Sequence, residues 1–346
     1  MSDPKKVKNS IRTQVKKIGE AGKAIENKNQ EKGKIKSAKK FHHLYGPVPS
    51  RRLGYSLGVD LLPFKTCTLN CLYCQLGPTR KKTIRRKSFF SEKQILEEIK
   101  EFLKTGVRVD FITFSGSGEP TLNKSIGRLI RKIKKITDIP VAVLTNSTLL
   151  TRADVRKDLL AADVVVPSLD ASTQEIFKKV NRPHPSLEIE KIITGLVNFR
   201  KQFQGQIWLE ILLVRGVNDS STHLQKLKKA VEKIDPDRIH LNTVVRPPAE
   251  KSAKPLLPKE MEKIKEFFGE KAEIVANFHK KEQEKTPADI AEAIISMVQR
   301  RPVSLEDLEN SLGLTREQLS LSLHRLLEAK KIKIVSHLNR DYFELV

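Results

Sequence analysis

Short apolar runs and amphipathic segments take turns along the chain from Tyr55 onward. "YSLGVDLLP" reads as a strand closed by Pro63, and "SEKQILEEIKEFLKT" as a helix with Ser91 at its N-cap. "VDFITFSG", "VAVLTN" (Val141 to Asn146), "DVVVPSLD", "IWLEILLV" and "IHLNTVV" (Ile239 to Val245) read as further strands. Between them, apolar positions at helical spacing place helices over "NKSIGRLIRKIKKI", near Arg152 to Ala161, near Leu187 to Gln202 and near Ser221 to Ile234. Val164, Val165 and Val166 are apolar toward both faces, as a parallel sheet covered on two sides requires. Six such units, two short of an eight-fold closure, predict an α/β fold: a partial (β/α)6 barrel of TIM type.

Ahead of these units, "YGPVPSRRLG" (Tyr45 to Gly54) reads as turn-rich. Behind them come a helix from Lys259 to Phe268, an extra strand in "AEIVAN" and a linker in "HKKEQEKTP". Three helical segments follow, Ile290 to Gln299, Leu305 to Leu312 and Arg316 to Ala329, with Gly313 at the turn between the last two. "KIKIVSH" and "DYFELV" then alternate as a hairpin, which completes a winged-helix order. The expected divisions are a basic tail at 1–41, a core domain at 42–277, a linker at 278–288 and a winged-helix domain at 289–346.

Charge changes this picture at its two ends. The formal net charge is +24, and residues 1–41 hold 13 Lys or Arg against Asp3, Glu20, Glu26 and Glu31. That segment has almost no core-forming pattern, so it is expected to be a disordered basic tail. The last domain, from Asp289, carries 8 basic and 9 acidic residues, so the remaining excess belongs to the middle of the chain. The lysine-rich N-terminus lacks the apolar core of a signal peptide, and no run reaches the roughly 18 apolar residues of a membrane span. A cytoplasmic protein with no membrane partner is the expectation.

All the cysteine of the 346 residues sits in "KTCTLNCLYCQLG", as Cys67, Cys71 and Cys74. An odd number packed into one loop rules out a disulfide framework. Three thiolates at CxxxCxxC suit three irons of a [4Fe–4S] cube and leave the fourth iron open to a small molecule. A zinc site is the competing reading, and it needs a fourth ligand such as His42 or His43.

The cysteine loop, with aromatic Tyr73 before its last member, resembles the signature CxxxCxΦC of the radical S-adenosylmethionine (SAM) superfamily. The resemblance spans roughly Tyr45 to Pro248. It implies that the open iron holds the amino and carboxylate groups of S-adenosylmethionine (AdoMet), whose reductive cleavage gives a 5′-deoxyadenosyl radical that abstracts a substrate hydrogen. It also implies a reductant such as flavodoxin or ferredoxin. "SGSGEP" is similar to the superfamily's GGE motif, with Ser117 where a glycine is usual, and implies that Gly118 and Glu119 hold the AdoMet amino group. By the same resemblance Asn146 faces the cofactor, Ser168 and Asp170 bind the ribose hydroxyls, and Tyr73 lies beside the adenosine. Glu210, mid-strand in "IWLEILL", needs a partner if buried and is a further candidate to face AdoMet.

Within the superfamily, "GPVPSRRLG", "FSGSGEPTL" and "SLDAS…NRPHP" are most similar to a branch related to wyosine-type tRNA-modifying enzymes. Those enzymes resemble two-cluster proteins, and three cysteines leave none for a second cluster or for a thiyl donor. "RKKTIRRK" after the cysteine loop, with Arg51, Arg52 and the tail, favours a polyanion near the radical; a merely solvated loop is the alternative. RNA, in particular tRNA, is therefore the expected substrate, and a protein or peptide delivered by the winged-helix domain is the second. A redox-sensing transcription regulator is a third, against which the AdoMet motifs count. "TREQLSLSLHRLLEA" lacks the basic face of a DNA-recognition helix and reads better as a protein-docking helix.

Overall fold

The computed structural model describes residues 41–275 and 290–346 apart from Arg51, Arg300, Gly313 and Asn339, in two compact units. The expected tail, apart from Phe41, and the linker lie outside the described residues. The larger unit begins with β1 (Leu44–Ser50), β2 (Gly54–Val59) and two two-residue strands, β3 (Thr66–Cys67) and β4 (Lys81–Lys82). It continues through α1 (Glu92–Leu103), β5 (Phe111–Phe114), α2 (Ile126–Ile133), β6 (Val141–Thr145), α3 (Ala153–Leu159) and β7 (Val164–Pro167). Then follow α4 (Gln174–Val180), α5 (Ile189–Gln202), β8 (Gln206–Leu213), α6 (Ser221–Ile234), β9 (Arg238–Thr243), α7 (Pro258–Phe268) and β10 (Ala272–Ile274).

Eight strands form one sheet in the order β1-β2-β5-β6-β7-β8-β9-β10. From β2 to β10 every pairing is parallel, and β1 alone runs antiparallel, at the edge beside β2. The six expected strands are β2 and β5 to β9, and β10 is the extra strand of "AEIVAN". One correction concerns "YGPVPS", which pairs as β1 instead of turning. An edge strand with a register shift between Tyr45 and Val48 tolerates prolines, because each lacks only a donor that a ladder need not use. A second correction is α4, a seven-residue helix capped by Thr173 that lies where the pattern predicts none.

Alternation along the strands sorts the core into two layers. Ile112, Phe114, Val143, Val165 and Leu209 pack with helix residues such as Ile99, Ile130 and Leu196. On the other face Ala142, Val164, Val166 and Trp208 cluster around Leu53, which the β1–β2 turn supplies. β7 is apolar on both faces, whereas the Trp208 face also carries Glu210, His240 and Asn242. Polar Asn146, Ser168 and Asp170 follow the carboxyl ends of β6 and β7.

The smaller unit comprises α8 (Ile290–Val298), β11 (Val303–Ser304), α9 (Leu305–Leu312), α10 (Arg316–Glu328), β12 (Ile332–His337) and β13 (Arg340–Leu345). Its strands form a three-stranded antiparallel sheet in the order β11-β13-β12. Ser304 and Asp307 cap α9 reciprocally, each accepting the other's backbone N–H at 3.0 Å. Ile294, Val303, Leu308, Leu319 and Phe343 are buried among its core.

Candidate functional site

The loop after β2 carries all three cysteines, and its shape comes from its own backbone. Cys74 N–H donates to the Cys71 carbonyl and Gly77 N–H to the Cys74 carbonyl, both at 3.1 Å, so the last cysteines lie on consecutive tight turns. The short parallel pairing of β3 with β4 ties the first cysteine to Lys81 and Lys82.

Two neighbours clamp this loop. From one side Gly118 approaches so closely that an added Cβ would lie 1.8 Å from the Thr66 carbonyl oxygen. Glu119 N–H donates to that same oxygen at 3.2 Å. From the other side the end of α4 pairs backbone with it, through Asn70 N–H to the Asn181 carbonyl and Leu72 N–H to the Val180 carbonyl. Gly118→Ala is therefore expected to push Thr66 and Cys67 out of place. A loss of about 1–3 kcal/mol, the range for overpacking, should appear in urea unfolding, together with less iron per chain after reconstitution.

Each sulfur receives one side-chain N–H. Lys65 Nζ donates to Cys74 Sγ at 3.1 Å, Asn146 Nδ2 to Cys67 Sγ at 3.4 Å and Asn181 Nδ2 to Cys71 Sγ at 3.3 Å. Burial pushes the Cys67 thiol up to about 11 and raises the Cys71 thiol as well, so neither readily ionises without a cation beside it. Among the described residues no three His, Cys, Asp or Glu converge on a single ion. A structural zinc needs that convergence, whereas in an iron–sulfur cube each thiolate takes its own iron. Three half-buried thiols on one loop, each with an N–H donor, fit the cube.

Glu119 is 1 % exposed, and its carboxylate anchors the strand ends. Oε1 accepts from Thr121 N–H, Thr121 Oγ1 and Thr145 Oγ1, and Oε2 accepts from Asn146 N–H at 2.7 Å. Of about four acceptor positions on a carboxylate, one stays open on Oε2. Burial raises its pKa while these donors lower it. Ser117, the departure from the glycine-rich pattern, donates its hydroxyl to Asp60.

Asp170 is held in the same manner. Oδ2 accepts from the Tyr73 hydroxyl and from Asn181 Nδ2, and Oδ1 from Leu212 N–H at 2.9 Å. Burial pushes its carboxyl up to about 6. Tyr73, Asn146, Ser168, Asp170 and Asn181 together line a cavity of about 20 Å³, room for one water. Four of the six residues expected to bind the cofactor thus converge beside the cysteine loop, with Glu119 one hydrogen bond away through Asn146. Asn181 and Lys65 had been assigned no role, although Asn181 stands in the quoted "NRPHP".

Glu210 finds its partner in Arg52 of the β1–β2 turn and accepts from Asn242 Nδ2 at 3.0 Å, on the sheet face of Trp208. Arg51 lies outside the described residues. The basic loop needs a correction at Arg86, which is 6 % exposed and bonded to Asp154 and Asp158. Arg80, Lys81, Lys82 and Arg85 are exposed.

Residues 61–227 match the family model described as the radical SAM superfamily. The chain is similar to a protein named GTPase Obg from Brachyspira hyodysenteriae, 40% identical over 310 residues. That match covers 89% of this chain but 45% of the other, so the chain spans less than half the length of that relative. It is also similar to a UPF0026 protein of Methanocaldococcus jannaschii, 33% identical over 300 residues, covering 84% of this chain and 92% of the relative. Among solved structures it is similar to a radical SAM methyltransferase from Sphaerobacter thermophilus, with a TM-score of 0.47 and 16% identity over 63% of this chain and 65% of that one.

Proposed function

We propose, from the premise that this chain belongs to the UPF0026 protein family and is a radical SAM enzyme, that it abstracts hydrogen from an RNA, specifically a tRNA. When bound by the three cysteines, a [4Fe–4S] cluster would supply the one-electron reduction of AdoMet that hydrogen abstraction requires. A flavodoxin- or ferredoxin-type reductant delivers that electron.

The chain's own residues divide the work of holding these groups. Cys67, Cys71 and Cys74 ligate the cluster. The open position on Glu119 Oε2, beside the Gly118 backbone, receives the AdoMet ammonium. Asn146, Ser168, Asp170 and Tyr73 face the adenosine, and their convergence beside the cysteine loop supports this assignment. Asp170 keeps one acceptor position on Oδ1 for a ribose hydroxyl, since three donors already occupy the others.

One observation carries the RNA reading: the exposed basic residues Lys81 and Lys82 form the strand that pairs with Thr66 and Cys67. A polyanion bound there lies within a few residues of the cluster, and the 13 basic residues of the tail add to the attraction. Replacing Arg80, Lys81, Lys82 and Arg85 with glutamine should lower the slope of log affinity for tRNA against log salt by about 3.6, at roughly 0.9 per lost phosphate contact. Removing residues 1–41 should lower it further. Binding indifferent to salt would overturn the reading.

The motifs that resemble wyosine-type enzymes support a reading of the chain as a relative of that branch, with single-cluster chemistry. A second reading, a protein or peptide substrate, draws on the smaller unit, which we read as a winged-helix module from its order α8-β11-α9-α10-β12-β13. On α10, Arg316 pairs with Glu309 and His324 with Glu328, which counts against a basic face for DNA. Deuterium passing into 5′-deoxyadenosine from labelled RNA or from labelled peptide fractions separates the two readings. Among the described residues no helix is long and apolar enough to cross a membrane, and a cytoplasmic location belongs to this proposal.

A further inference from the structure

Lys65 sits one position before β3, and its long basic side chain is 3 % exposed. Its Nζ donates to Cys74 Sγ at 3.1 Å, and among the described residues no carboxylate lies within ion-pair distance of it. Buried ammonium groups are costly unless a counter-charge sits beside them. Bound to a metal, that sulfur is a thiolate, an anion one hydrogen bond from the ammonium.

The backbone also adapts to this placement. Lys65 has φ 59°, a left-handed conformation that side-chain-bearing residues rarely adopt. It is held there by Lys65 N–H donating to the Ser117 carbonyl at 2.7 Å, and by Arg80 and Lys81 N–H groups donating to the Lys65 carbonyl at 3.1 Å. Strain of this kind persists where surrounding contacts over-determine it, most often at functional sites. Of the three N–H donors to the cysteine sulfurs, Lys65 alone is a cation.

We propose that Lys65 is the built-in counter-ion of the [4Fe–4S] cluster, a positioning residue that acts through Cys74 to raise the cluster's reduction potential. This rests on the reading that the three cysteines hold the cluster. Reduction adds one electron, taken from a flavodoxin- or ferredoxin-type donor, and makes the thiolate-bound cube more negative by one charge. No bond is made or broken at Lys65 and no proton leaves it. A fixed positive charge one hydrogen bond away, screened little by water, stabilises the reduced form more than the oxidised one. Lys65 thereby makes the cluster easier to charge.

The test uses the full chain, reconstituted anaerobically with iron and sulfide and titrated with dithionite while the reduced cluster is followed by electron paramagnetic resonance. Lys65→Met keeps the length and removes the charge. Its midpoint should fall by at least a tenfold change in the one-electron equilibrium, 59 mV, at wild-type iron content, and Lys65→Arg should restore most of the difference. If Lys65→Met takes up no iron, Lys65→Gln decides the matter, because it keeps an N–H donor without the charge and should show the same fall. A neutral variant with full iron and an unchanged midpoint overturns the proposal. Wild-type protein that assembles no [4Fe–4S] cluster instead overturns the cofactor reading beneath it.

Discussion

Reconstituted protein carrying Cys71→Ala is expected to release no 5′-deoxyadenosine from AdoMet above the enzyme-free background, while wild-type protein under the same reductant cleaves it. The loss should be complete, because the chain has no fourth cysteine to take over the vacant iron. It also removes one acceptor of Asn181 Nδ2, the amide that links the cysteine loop to Asp170. Cys71 is only half-buried, so the fold should lose about 1 kcal/mol or less. A thermal melt close to wild type, beside an absent cluster absorbance, is the result that ties the activity to ligation. Equal cleavage by both proteins would contradict the assignment of the cysteines.

Arg86→Met is expected to cost stability and leave RNA affinity alone. The guanidinium donates to the Thr121 and Asn123 carbonyls, to Asp154 at 2.7 Å and to Asp158 at 2.5 Å, and so fastens the end of the cysteine loop to α3. Breaking a buried pair costs about 3–5 kcal/mol because the orphaned charge stays behind. Asp154 is half exposed and keeps Arg152, so about 2–4 kcal/mol is the expected loss in urea unfolding. Arg152 first, and then Arg86, holds the Asp154 carboxyl down to about 2. That contribution is present above the unfolded carboxyl range and is lost as pH falls from about 4 to about 2, so the variant should show a flatter acid limb. Arg85→Gln should behave in the opposite way, with stability within about 0.5 kcal/mol of wild type and a tRNA salt slope smaller by about 0.9. If Arg86→Met lowered the salt slope at unchanged stability, Arg86 would belong to the RNA surface after all.

These two residues mark how far local pattern reaches. Arg85 and Arg86 are adjacent and chemically equal in the sequence, and only the positions of Asp154 and Asp158, about 70 residues later, make one a surface charge and the other a core tie. The βα alternation was legible because a parallel sheet needs strands that are apolar on both faces, and that requirement is written residue by residue. The strand Leu44–Ser50 was not, since its prolines are allowed by the strand's place at the sheet edge and not by anything in the segment. In the same way Glu210 showed that it needed a partner without showing which one. Arg52 reaches it across 158 positions, from a turn that enters the sheet's inner face.

By itself the sequence determined the three thiols, their spacing, the glycine and carboxylate of "SGSGEP" and the order of the elements that carry them, all of which depend on near neighbours. Only the tertiary structure decided which nitrogen meets which sulfur, that Asn181 joins Cys71 to Asp170, and that Lys65 is buried against Cys74. Those contacts form where separate strand ends and loops close on one another. Burial then sets their energies, and a chain read one segment at a time does not contain that information.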